Sequence, residues 1–266
     1  LLALLFLYRL KVPPVQAGYG RRRELKLVAP AKLTLSLRVV GIRDDGYHLV
    51  DAEMVTLDLA DELEVSPPAG AEGQLTIEDR TGGLSVPGGP EDLVTRALYL
   101  VGRTADVVVR KAIPAGAGLG GGSADAAAVL RWAGFTDLVA AAGIGADVSF
   151  CLVGGRARVS GIGEVVKPLP FRDQAFTLLT PTVGCPTPDV YRRWDEMGGP
   201  LGDYGNDLEP AAMDLVPELA EWRDALGDAT GRRPRLAGSG STWFVEGEYP
   251  GDGRRIVRTV PTTVSA

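Results

Sequence analysis

The sequence predicts a mixed α/β protein, and three observations carry that prediction. Leu25, Leu27, Leu33, Leu35, Leu37 and Val39 are apolar at alternate positions, the period of a half-buried strand. Leu93, Val94, Ala97, Leu98 and Val101 recur at helical spacing. Between Lys111 and Leu130 the chain runs from a strand end through Gly116, Gly118, Gly120, Gly121 and Gly122 into an alanine-rich helix. A length of 266 residues suffices for one large or two small domains, and 45% hydrophobic with 23% charged residues is an ordinary globular balance.

Taken in order, residues 1–24 read as a flexible lead-in without a catalytic part. Leu1 to Leu10 is apolar but too short to span a bilayer, and it lacks the basic start and cleavage site of a signal peptide. On the strand from Leu25, Lys32, Thr34 and Ser36 share the face opposite the leucines. Gly41 to His48 is a polar turn, Val50 to Val65 a second strand, and Pro67 to Gly73 and Thr81 to Pro90 are loops. Glu91 to Val101 is a helix, and Val107 to Val109 is a strand entering the glycine loop. Ser123 is expected to cap the next helix, with Ala124 to Leu130 as its body. Thr136 to Ala142 forms a short helix, Asp147 follows on a Gly-Ala turn, and Gly154 to Val166 is a strand pair. Pro168 and Pro170 mark a boundary between domains 25–168 and 169–266. Beyond it, Phe176 to Leu179 is a strand, and Asp189 to Met197 and Leu208 to Leu226 are helical, the latter broken by Pro210 and Pro217. Arg235 to Leu236 and Trp243 to Val245 are strands about a Gly-Ser-Gly turn.

A glycine loop feeding a helix N-terminus is an anion site, because free N–H groups and the positive end of the helix dipole meet there. The anion expected is a phosphate chain. The loop is no Walker A, since no Lys-Ser or Lys-Thr follows its last glycine, and no acidic residue closes a dinucleotide-binding unit downstream. A net charge of −6 argues against a nucleic-acid coat or a polybasic membrane binder. Cys151 and Cys185 form no CxxC pair and no metal spacing, which fits a reduced, cytoplasmic setting.

Pro114-Ala-Gly-Ala-Gly-Leu-Gly-Gly-Gly-Ser-Ala-Asp125 resembles the second motif of the galactokinase, homoserine kinase, mevalonate kinase and phosphomevalonate kinase (GHMP) superfamily. Within it, the chain is most similar to the 4-diphosphocytidyl-2-C-methyl-D-erythritol kinase family. Ala29-Pro-Ala-Lys-Leu-Thr-Leu35 with Asp45-Gly-Tyr-His48, then Gly145-Ala-Asp-Val-Ser-Phe150, then Ala237-Gly-Ser-Gly-Ser241 follow in the order that family requires. The resemblance implies an α+β, two-domain fold with a central cleft between an N-terminal ATP-binding domain and a C-terminal domain. It also implies transfer of the ATP γ-phosphoryl group to an alcohol, with ATP and Mg²⁺ as cofactors. The partner implied is a small cytidine diphosphate-linked substrate, acted on by a monomer or homodimer.

Residue by residue, the resemblance places the triphosphate on Pro114, Ala115, Gly116, Ala117, Gly118, Leu119, Gly120, Gly121, Gly122, Ser123 and Ala124. Mg²⁺ would bridge phosphate oxygens with few protein ligands. Asp147 is the implied base and Lys32 its cationic neighbour. Asp147 can also be read simply as a helix N-cap. Tyr47 and Tyr191 are expected to stack on the two faces of the cytosine, with His48, the only histidine, reading its edge. Gly238, Ser239 and Gly240 form the third motif, and Asp92 is expected near the adenine. Two positions depart from the family pattern: Thr34 stands for asparagine and Ser149 for proline. Two alternatives stay open from sequence: a related kinase acting on another alcohol, and an inactive nucleotide-binding homologue.

Overall fold

A computed structural model describes residues 24–262 apart from 71, 83–88 and 90. The expected lead-in before residue 24 and most of the loop from Thr81 to Pro90 therefore lie outside the described residues. In chain order the elements are β1 (Leu25–Ile42), β2 (His48–Ser66), β3 (Leu75–Asp79), α1 (Leu93–Leu100), β4 (Asp106–Lys111), α2 (Gly121–Trp132), α3 (Leu138–Ile144), α4 (Val148–Val153), β5 (Arg156–Gly161), β6 (Val165–Pro168), β7 (Ala175–Leu179), α5 (Thr187–Glu196), α6 (Glu209–Leu215), α7 (Leu219–Thr230), β8 (Arg235–Leu236), β9 (Trp243–Glu246) and β10 (Arg254–Arg258).

The first six strands make one sheet in the order β3-β4-β2-β5-β6, with β1 paired to β2; the last four make a second, β10-β7-β9-β8. β2 is long enough to pair with β1 along its length while pairing with β5 near its start and β4 near its end. Helix α2 lies on β1, and its run from Ala124 to Leu130 is buried throughout. Alanines there let helix and sheet approach closely, which is why a modestly amphipathic helix serves as the centre of the core.

Sequence periodicity located most elements and did not assign β3, β10 or α4, the last raised only through the helix-cap reading of Asp147. β3 and β10 are short, half-exposed strands whose apolar residues are too few to show a period. Pro210 does not break a helix. It sits in the first turn of α6, where no intrahelical N–H is needed. Ser123 is not the cap of α2. The helix starts at Gly121, and Gly120 is the cap residue, at φ +69°.

The segment leading into α6 ties the second sheet to β1. Leu37 donates its N–H to the Gly205 carbonyl, and Asp207 N–H donates to the Leu37 carbonyl. The Asp207 carboxylate is fully buried and accepts from Val39 N at 3.0 Å, Gly202 N at 3.0 Å and the Arg38 guanidinium. Removing it leaves buried N–H donors unpaired. Asp207→Ala is expected to lower stability by roughly 2–4 kcal/mol, read as a lower urea midpoint with an unchanged slope.

Candidate active site

The site is organised on β1. Lys32 donates its N–H to the Leu119 carbonyl at 3.0 Å, so the strand carries the glycine loop beside it. The stem of Lys32 lies under Gly120, where a Cβ would stand 2.8 Å from Cγ of the lysine. With φ in the left-handed region as well, only glycine fits that position. The buried Lys32 ammonium donates to Thr34 Oγ1 at 3.0 Å and pairs with Asp147 Oδ2 at 3.1 Å. A register shift in β1 after Thr34 breaks the row, so Ser36 does not extend it. Asp147 occupies the cap position of α4, yet its side chain caps nothing. It turns to Lys32 instead, which excludes the plain helix-cap reading.

The first turn of α2 supplies the anion site. Its first α-helical bond runs from Ala124 N to Gly120 O at 2.8 Å, so the amides of Gly121, Gly122 and Ser123 precede the ladder. Ser123 thus contributes an amide and a hydroxyl to the first turn. The turn between β8 and β9 interlocks with this loop. Thr242 N donates to Ala117 O at 3.2 Å, and a Cβ on Gly118 would meet the Ala237 carbonyl at 2.1 Å. Asn206 steadies that turn by donating to Leu236 O at 2.9 Å and Gly238 O at 2.7 Å.

One cavity of about 640 Å³ joins these parts. Its walls are Lys32, Thr34, the loop Pro114 to Ser123, Asp147, Tyr191, Gly238 and Ser239, with Asp92 and Leu93 at one end. Asp92 also caps α1, accepting from Val94 N at 2.8 Å. Two of the expected residues stand back. Ala124 is packed in the core, and a Cβ on Gly240 would press on Leu236 and Cys185 rather than on the cavity.

The aromatic residues divide. Tyr191 lines the cavity, and burial pushes its phenol well up, helped by the Asp147 charge. The His48 ring lies 4.6 Å from the Tyr191 ring and meets Trp194 edge-on at 5.7 Å, with Nε2 2.8 Å from Asp195 Oδ1. His48 touches the cavity wall through Tyr191 and is not itself among the lining residues, and Tyr47 is not with these rings. It stands exposed outside the cavity, with the Arg43 guanidinium 5.7 Å above its ring.

Beneath the glycine loop lies a buried charge cluster that sequence reasoning missed. Lys111 of β4 pairs with Asp125 of α2 at 2.6 Å and with Asp61 of β2. Asp61 also accepts from Ala112 N at 2.5 Å and Ile113 N at 2.9 Å. A Cβ on Gly121 would come within 3.0 Å of the Lys111 ammonium, so the cluster directly supports the loop. Among the described residues Asp125 Oδ1 has no hydrogen-bond partner. Three charges drawn from separate elements leave no local pattern in a sequence.

Comparison with known proteins identifies the family. The GHMP kinases N terminal domain model matches residues 92–155. A 4-diphosphocytidyl-2-C-methyl-D-erythritol kinase of Paracoccus denitrificans is 40% identical, over 84% of this chain and 86% of that protein. The chain belongs to the 4-diphosphocytidyl-2-C-methyl-D-erythritol kinase family. A second relative of the same name, from Dinoroseobacter shibae, is 34% identical over 94% of this chain and 95% of its own length. The crystal structure of a 4-(cytidine 5'-diphospho)-2C-methyl-D-erythritol kinase superposes with a TM-score of 0.64 at 34% identity, covering 83% of this chain and 89% of that one. A homoserine kinase from Cytophaga hutchinsonii, at 17% identity and a TM-score of 0.60, shares the fold. The protein is therefore an α+β GHMP-type kinase that uses ATP. Among the described residues no helix of this kinase is long and apolar enough to cross a membrane.

The charge cluster of the kinase has a measurable signature. Burial, reinforced by Asp61 and opposed by Lys111, pushes the Asp125 carboxyl up to about 7. A raised carboxyl binds its proton in the folded state while the unfolded chain releases it near the ordinary value of about 4. The resulting stability is present at low pH, falls as pH rises from about 4 to 7, and levels off above. Unfolding temperatures of the unliganded protein and of Asp125→Asn should converge or cross over that window, wild type gaining relative to the variant at the acid end. Parallel curves would show that Asp125 keeps an ordinary titration.

Proposed function

We propose that this kinase transfers the γ-phosphoryl group of ATP to the 2-hydroxyl of 4-diphosphocytidyl-2-C-methyl-D-erythritol, a step of non-mevalonate isoprenoid precursor synthesis. The observation that carries the reading is the Lys32–Asp147 pair, set in the same cavity as the glycine loop. Phosphoryl transfer asks the protein for position and charge more than for covalent chemistry. The amides of Gly121, Gly122 and Ser123 hold phosphate oxygens at the helix N-terminus. The Asp147 carboxylate takes the proton of the attacking hydroxyl, and the Lys32 ammonium, paired with it, offsets charge developing on the phosphoryl oxygens. Thr34 accepts from Lys32, so its own hydroxyl proton is free to donate to the acceptor alcohol.

Mg²⁺ suits this cavity as a companion of the nucleotide. The described residues hold no group of three or more His, Cys, Asp or Glu that could bind a metal alone. Phosphate oxygens and water would supply most of its ligands, and the Ser123 hydroxyl is the protein group that would help hold it. When bound it neutralises phosphate charge. Tyr191 and His48 are assigned to the cytosine, with Gly238 and Ser239 closing over the substrate; Tyr47, exposed outside the cavity, is left out of the base clamp. Residues 25–168 act as the nucleotide unit and 169–266 close the cleft. The buried free thiols of Cys151 and Cys185 accord with a cytoplasmic enzyme, working as monomer or homodimer.

The test is ADP release over a panel of acceptor alcohols. Turnover is expected with the cytidine diphosphate compound alone among sugar, homoserine and mevalonate acceptors. Asp147→Asn should lower kcat by roughly 10²- to 10⁴-fold at little cost in ATP affinity. ATP bound but never turned over, with Asp147→Asn indistinguishable from wild type, would reduce the chain to a nucleotide-binding homologue.

A further inference from the structure

We propose that Asp195 is a positioning residue that fixes the tautomer of His48 and through it the choice of base. The inference rests on the cytidine reading of His48 given above. His48 Nε2 is 2.8 Å from Asp195 Oδ1. A carboxylate only accepts, so the proton of this contact belongs to Nε2. Nδ1 has no hydrogen-bond partner among the described residues. In the neutral ring it carries the lone pair and accepts.

Helix α5 delivers this arrangement as a unit. Tyr191, Trp194 and Asp195 lie at i, i+3 and i+4, on one face of the helix. The two rings pack on His48, and the carboxylate reaches its Nε2. Nearby cations do not compete for Asp195. Arg192 pairs with Asp189, and Arg193 pairs with Asp214 and Glu196, which leaves His48 as the partner of Asp195. The histidine enters from the start of β2, so nothing local in its own strand dictates the tautomer; the helix does.

An accepting nitrogen selects a donor. Cytosine presents a 4-amino group, which donates. Uracil presents a 4-oxygen, which would meet Nδ1 lone pair to lone pair. A site that leaves a polar atom unpaired with the wrong ligand discriminates more strongly than a site that merely fits poorly. Asp195 therefore acts through His48 and touches no substrate.

His48 is the only histidine of the chain, so ¹⁵N-histidine labelling reports a single ring. In the neutral ring at pH 8 the wild-type spectrum is expected to show a protonated Nε2 and a bare Nδ1. The same protein is then assayed with the cytidine diphosphate acceptor and its uridine counterpart. In Asp195→Asn the side chain can donate to Nε2 as well as accept from it, so the tautomer is no longer imposed. The cytidine-over-uridine preference in kcat/KM should fall about tenfold, the worth of one hydrogen bond, with the change in KM rather than kcat. Asp195→Glu should restore most of it. A wild-type ring protonated on Nδ1, or an Asp195→Asn enzyme with wild-type preference, overturns the proposal. Wild-type failure to turn over the cytidine compound instead sinks the functional reading, and the ¹⁵N spectrum still judges the hold of Asp195 on the ring.

Discussion

The molecule depends on keeping one lysine charged inside its core. Lys32 is buried on the central strand pair, and an isolated ammonium there would lose its hydration for nothing. Asp147 and Thr34 restore what water would have supplied. That solution demands that the turn before α4 reach β1 from far along the chain, which in turn fixes how α2 and α4 lie on the sheet. The pair is thus at once a structural requirement and a charged device at the end of a phosphate loop.

Close backbone approach is the second constraint. The glycine loop must fit between the Lys32 stem on one side and the β8–β9 turn on the other. Gly118 and Gly120 each leave no room for a Cβ. The same contacts that leave no side chain in the loop leave its amides free to meet an anion. Below the loop, Lys111 brings one positive charge between two buried carboxyl groups.

Much of this was legible in the sequence because it was local. The glycine spacing, the alternation around Lys32 and the turn carrying Asp147 each sit within a few residues. What was not legible was assembled from distance. The Asp61–Lys111–Asp125 cluster joins β2, β4 and α2, and Asp207 reaches β1 from the opposite half of the chain. Ser123 misled for a physical reason: serine is a strong cap, but Gly120 adopts a left-handed φ and begins the helix earlier, trading helix propensity for amides that can meet a ligand. The separation of Tyr47 from His48 was equally invisible, since adjacent residues at a strand start point to opposite sides. Pairing His48 with Asp195 required α5 in place.

The central claim is that Lys32 and Asp147 act as one unit in the chemical step. A double-mutant cycle on kcat with Lys32→Met, Asp147→Asn and both together tests it most directly. If the two work together, the double variant should be no slower than the slower single variant by more than about threefold, because the second change removes what the first has already disabled. Losses that multiply in full would mean that the two residues serve independent steps, and the account built on their pairing would fail.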